Sequence, residues 1–142
     1  MHASFFTARL VALAVIASVV SAKDALPADC DRTATVKAGE TCSDICAKYG
    51  VPTYQLAAVN KGVIDPTCTN LVVDQVLCLG IKGHDCKATH VVKKGETCHS
   101  IADANDIEFD TFILNNLREG FNCTYMRPAE VLCIETEVIR RK

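Results

Sequence analysis

The residues of this 142-residue chain whose type and spacing could do chemistry are first its nine cysteines: Cys30, Cys42, Cys46, Cys68, Cys78, Cys86, Cys98, Cys123 and Cys133. Thiols can cross-link, ligate a metal or attack an electrophile. Cys42 and Cys46 have a spacing that suits zinc. The matching position in the second half of the chain is Ala102, however, and His84, His90 and His99 do not recur. Neither a metal nor a cofactor is expected. Nucleophilic catalysis needs a base beside the thiol, and no such pairing can be argued from these residues. Glycoside hydrolysis needs two carboxylates facing one another across a cleft. Glu40 and Glu96 occupy one equivalent place in each half, and nothing pairs with either. The sequence therefore reads as a non-enzyme carrying a disulfide framework. Asn122-Cys123-Thr124 is a glycosylation sequon. The alternative is that Asn122 goes unmodified, because a bonded cysteine in the middle position hinders the reaction.

Disulfides call for an oxidising compartment, and the N-terminus supplies a route to one. Arg9 is followed by an apolar run over residues 10–20, and Val20-Ser21-Ala22 offers small residues at a cleavage site. Residues 1–22 read as a signal peptide. A membrane anchor is the alternative, but the run is about half the roughly 20 residues a spanning helix needs. The mature chain is thus expected to be secreted and extracellular, with cell-wall association an option, and not bound to a membrane. Losing Arg9 takes the net charge from −2 to −3. That balance argues against a nucleic-acid partner, which wants a concentrated basic face. Arg140-Arg141-Lys142 reads as a solvated tail.

The elements that must hold the cysteines are written twice. Val36-Lys37-Ala38-Gly39-Glu40-Thr41-Cys42 returns as Val92-Lys93-Lys94-Gly95-Glu96-Thr97-Cys98, and Val76-Leu77-Cys78-Leu79 returns as Val131-Leu132-Cys133-Ile134. Cys30 matches Cys86 and Cys68 matches Cys123. Asn60 is aligned with Asn115, which places a one-residue deletion between the first helix of the second copy and that asparagine. Each copy reads strand, helix, helix, strand: 33–37, 41–49, 54–60 and 75–79, then 90–93, 97–104, 108–114 and 130–134. Thr41 with Asp44 makes a capping-box pair, Gly50 a left-handed stop, and Pro52 a bar to continuation. A unit of this size has a thin core. Two disulfides per copy would each add roughly 2–4 kcal/mol, and spacing leaves all three pairings per copy open. Cys46 is read as a buried free thiol in the place of Ala102, with an intermolecular bridge as the alternative.

These motifs resemble the lysin motif (LysM), and the four-cysteine pattern around them resembles secreted fungal LysM effectors. The resemblance covers residues 33–79 and 89–134, with 80–88 as a linker and 135–142 as a tail. It implies an α+β fold of two tandem βααβ modules, disulfide-stabilised, with both helices on one face of a two-stranded sheet. It also implies a shallow sugar groove between two loops. In the first copy these are Gly39, Glu40, Thr41, Cys42 and Ser43, with Asn60, Lys61, Gly62, Val63 and Ile64. In the second they are Gly95, Glu96, Thr97, Cys98 and His99, with Asn115, Asn116, Leu117, Arg118 and Glu119. Family members often have Asn-Pro where this chain has Asn60-Lys61 and Asn115-Asn116, which makes the second loop less rigid. The implied partners are chitin and N-acetylglucosamine oligomers, with a dimer assembled on the ligand as a further option. Backbone amides would pair with acetamides, and Val63, Ile64 or Leu117 would lie against ring faces. Two sites on one polymer would raise avidity by about 10²–10⁴ if geometry lets both engage. The implied role is to sequester chitin fragments or to shield hyphae from chitinases. A LysM protein of the producer's own wall or of peptidoglycan, and a disulfide-rich inhibitor or toxin, are the competing readings.

Overall fold

The computed structural model describes residues 25–118 and 121–139. The expected signal peptide, Glu119 and the basic cluster at 140–142 lie outside them. The order is β1 (Cys30–Thr35), α1 (Cys42–Tyr49), α2 (Thr53–Val59), β2 (Val76–Ile81), β3 (Thr89–Val91), α3 (Cys98–Ala104), α4 (Phe109–Asn116) and β4 (Val131–Cys133). Strand β1 pairs antiparallel with β2, and β3 with β4, as two separate two-stranded sheets. The fold is therefore the α+β pair of βααβ units expected from the repeat.

Local chemistry sets the helix ends. Thr41 accepts the Asp44 amide while Asp44 accepts the Thr41 amide, so two orphan donors are satisfied reciprocally. Thr97 does the same with Ser100. Gly50 ends α1 in the left-handed region at φ 59°, where a residue without a Cβ carries no penalty. Asp106, the residue in the same place in the second copy, takes φ 53° without that freedom.

Each module closes over its own apolar cluster. Ala34, Val36, Ile45, Val51, Leu56, Leu77 and Leu79 fill the first, and Val92, Ile101, Ile107, Phe112 and Leu132 the second. The disulfides are nested within each copy. Cys30 joins Cys78 and Cys42 joins Cys68; Cys86 joins Cys133 and Cys98 joins Cys123. Cys46 is buried and free, as expected, and burial pushes its thiol up to about 12.

Two expectations need correction. The first sheet is longer than 33–37 and 75–79 suggested, because an irregular register around Arg32 lets β1 start at Cys30 and β2 run to Ile81. Segment 80–88 thus begins inside the sheet. The second correction is the partner of Asn60. Its side chain bonds the Leu56 carbonyl and both backbone groups of Cys78. The identical bracket in the second copy is made by Asn116, to Phe112 and Cys133. The deletion therefore falls after α4, in the loop, and Asn115 is a different kind of residue.

The junction between the two copies is packed. Val131 of β4 is fully buried in the first module's cluster, and its amide donates to Thr53 Oγ1 at 2.9 Å. Arg32 donates to both Asp85 oxygens at 2.7 and 2.9 Å and to the carbonyls of Tyr49, Gly50 and Cys86. Gln55 adds bonds to Asp85, the Leu79 carbonyl and the Cys86 amide. A Cβ on Gly80 would collide with the Asp85 carboxylate, so glycine there is what admits Asp85 against the sheet.

Candidate functional site

The first loop of each module is a tight turn whose glutamate faces inward. The Glu40 amide reaches the Lys37 carbonyl at 3.1 Å, and the Glu40 carboxylate takes the Lys37 amide and the Lys48 ammonium, each at 2.9 Å. In the second copy Glu96 takes the Lys93 amide and pairs with His90 Nε2, both at 2.8 Å. These bonds hold both carboxyls below the usual range, through Lys48 first for Glu40 and His90 first for Glu96. Neither glutamate is offered as a proton donor. Each braces the turn that exposes Ala38 and Gly39, or Lys94 and Gly95, with the glycines at φ 79° and 87°. Thr41 and Thr97 spend their hydroxyls on capping, while Ser43 and His99 are exposed.

The inner disulfide brings the second loop to the first. Cys42 and Cys68 have Cα atoms 6.1 Å apart, and Cys98 and Cys123 are 5.5 Å apart. In the first module Asn60 anchors the loop and is itself buried. Lys61 and Gly62 are exposed, Val63 is half-buried, and Ile64 is buried in the core. Ile64 is therefore not placed to meet a sugar ring. The far end of this loop is organised by Asp65, which accepts from the amides and hydroxyls of Thr67 and Thr69. These bonds, the two hydroxyls foremost, pull its carboxyl down to about 2. Reading along the chain missed this hub; Asp-Pro-Thr followed by a second Thr was its signal.

In the second module the expected residues separate. Asn116 is the buried bracket. Asn115 turns the other way, gripping the Glu135 and Glu137 carbonyls and the Ile139 amide, while its own carbonyl accepts the Tyr54 hydroxyl. Arg118 pairs with Glu130 and lies over the Tyr54 and Phe121 rings. Leu117 is exposed. Asn122 is exposed as well, its side chain accepting the Thr124 amide.

Two clefts lie elsewhere. One of about 140 Å³ sits between Leu26, Pro27, Asn60, Lys61, Val63 and Val76, and so shares only the second loop with the expected groove. The other, about 550 Å³, lies at the junction among Asp31, His84, Asp85, Lys87, Glu135 and Glu137. Three of its carboxylates are already engaged, Asp85 by Arg32, Asp31 by Lys87, and Glu135 by the Lys87 and Ala88 amides. No group of three or more His, Cys, Asp or Glu among the described residues is arranged to hold a metal ion. No helix among them is long and apolar enough to cross a membrane.

A family model described as "LysM domain" matches residues 34–80 and again 90–135. A secreted LysM effector of Pochonia chlamydosporia is 26% identical over 130 residues, covering 79% of this chain and 34% of that protein. A secreted LysM effector of Trichophyton rubrum is 26% identical over 132 residues, covering 77% of this chain and 52% of that protein. The chain thus spans between a third and about half of these relatives' length. Among solved structures, the spore cortex-lytic enzyme SleL of Bacillus megaterium matches with a TM-score of 0.38 and 19% identity. The match covers 72% of this chain and 22% of that one, too loose a likeness to carry an argument.

Proposed function

The chain belongs to the LysM domain family, and from that premise we propose that it is a secreted, non-catalytic protein that binds chitin-type N-acetylglucosamine oligomers. The observation that carries the reading is the inward-facing glutamate in both modules. Folding it back onto its own turn leaves a glycine-bearing stretch of backbone at the surface with no free carboxylate on it, tied by a disulfide to a second loop. An uncharged amino sugar with acetamides along its edge suits such a surface. Backbone amides and carbonyls meet the acetamides, and the glycines permit close approach. The relatives, called secreted LysM effectors, support both the compartment and the partner.

Within that reading the groove residues are Gly39 to Ser43 with Lys61, Gly62 and Val63 in the first module. In the second they are Gly95 to His99 with Leu117. Asn60 and Asn116 act from beneath by fixing where each second loop begins. Sequestering chitin fragments or covering a hyphal wall is the role this binding would serve, alone or as a dimer assembled on the polymer.

Calorimetry of the oxidised protein with N-acetylglucosamine oligomers of four to eight units tests the proposal. The expected result is saturable heat that grows with chain length. Retention on peptidoglycan but not on chitin would replace the ligand, and silence toward every oligomer would end the reading.

A further inference from the structure

We propose that the second module carries an aromatic platform, built by His99 and Phe109, on which one pyranose ring of the bound amino-sugar chain stacks. This rests on the binding function proposed above. The two rings lie 3.8 Å apart between centroids and within 6° of parallel. Phe109 is half-buried and packs on the second apolar cluster, so it is anchored from below. His99 is exposed and immediately follows Cys98, at the edge of the Gly95–Thr97 turn. One imidazole face is covered by Phe109, and His99 is an exposed residue.

The scaffold does not need this pair. In the first module the same two places hold Ser43 and Thr53, yet the helix cap, the inner disulfide and the asparagine bracket are all made there. The stack is thus an addition to one copy rather than a requirement of the fold. The Cys98–Cys123 bridge brings the following turn to this end of the module. Met126 Sδ lies 3.7 Å from Cys98 Sγ, next to His99 in the chain.

The chemistry selects the occupant. A β-linked pyranose presents an apolar face of axial C–H bonds, which lies flat on an aromatic ring and needs no charge. The imidazole edge adds a nitrogen that can bond a ring hydroxyl. A chain lying in the groove beside Gly95 and Thr97 would extend over His99 without leaving the surface. The second module then grips one more sugar unit than the first.

An NMR titration of the full, oxidised chain with oligomers of four and six N-acetylglucosamine units tests this, using H99S and F109T, which install the first module's residues. In the wild-type protein the His99 and Phe109 ring protons are expected to shift on binding. Each variant is expected to weaken the second site about threefold to tenfold, the range of one aromatic stacking contact, while first-module shifts are unchanged. Because His99 is exposed, H99S keeps the test decisive should F109T perturb the fold. Equal affinity of the second module in wild type and H99S, or ligand shifts confined to the first module, overturns the platform and leaves the binding function standing. Absence of any shift in the wild-type protein overturns both.

Discussion

Replacing Arg32 by alanine puts a number on the junction between modules. The Asp85 side chain is 3% exposed, and Arg32 supplies it with two hydrogen bonds. Without the guanidinium, Asp85 keeps Gln55 at 2.7 Å and a lysine, Lys87, at 4.0 Å whose own side chain is 62% exposed. Three backbone carbonyls lose their donor as well. Removing one partner of a buried pair costs about 3–5 kcal/mol. Arg32 is itself 24% exposed, so entering water recovers part of the loss and the low end applies. About 3 kcal/mol corresponds to a fall in Tm of roughly 10–15 °C for a domain of this size. Thermal unfolding of the oxidised protein followed by far-UV circular dichroism measures it. The double variant R32A/D85N removes the stranded charge and is expected to recover roughly 1–2 kcal/mol of the loss. If R32A melts within about 2 °C of wild type, or D85N gives no recovery, a buried charge is not what the arginine secures.

Asn116→Ala strands the Cys133 amide and carbonyl and is expected to cost roughly 3 kcal/mol in chemical denaturation; Asn115→Ala should instead loosen residues 135–139, seen as faster amide exchange there. Asp65 is held at about 2 against an ordinary 3.8, so its contribution is fully present above 3.8 and lost as pH falls through about 2. The Thr67 and Thr69 amide shifts should therefore hold steady from pH 7 to 4, and Asp65→Ala should abolish the turn at every pH. With the Cys46 thiol near 12, only about one molecule in 10⁴ carries a thiolate at pH 8. A disulfide-exchange reagent should leave native protein unlabelled and mark one thiol after unfolding without reductant. Cys46→Ala, which copies Ala102, should refold with a loss of about 1 kcal/mol.

The repeat made the scaffold readable. Two copies of Gly-Glu-Thr-Cys and Val-Leu-Cys place the turns, caps and closing strands, since those depend on near neighbours. The contact between copies is long-range, yet it left a trace. Arg32, Tyr54 and Gln55 stand where the second copy has Ala88, Asp110 and Thr111, and all three bond across the junction or line it. Departures from the repeat marked the interface. Register was harder. Asn115 and Asn116 are adjacent and identical, and only their hydrogen bonds reveal which one brackets β4. Left-handed Ala129 and Asp106 gave no signal either, because neither residue type demands that conformation. The nested cystine pairing was invisible in spacing, as it depends on how loops return in space.

The pinned junction changes what a second sugar site is worth. Lys82 bonds Asp29, Cys86 bonds Gln55, and Lys87 and Ala88 bond Glu135, so no free tether separates the halves. The spacing between the two proposed grooves would then be a constant of the architecture, a ruler rather than a leash. A leash answers gradually to longer oligomers; a ruler answers in one step, at the length that spans it.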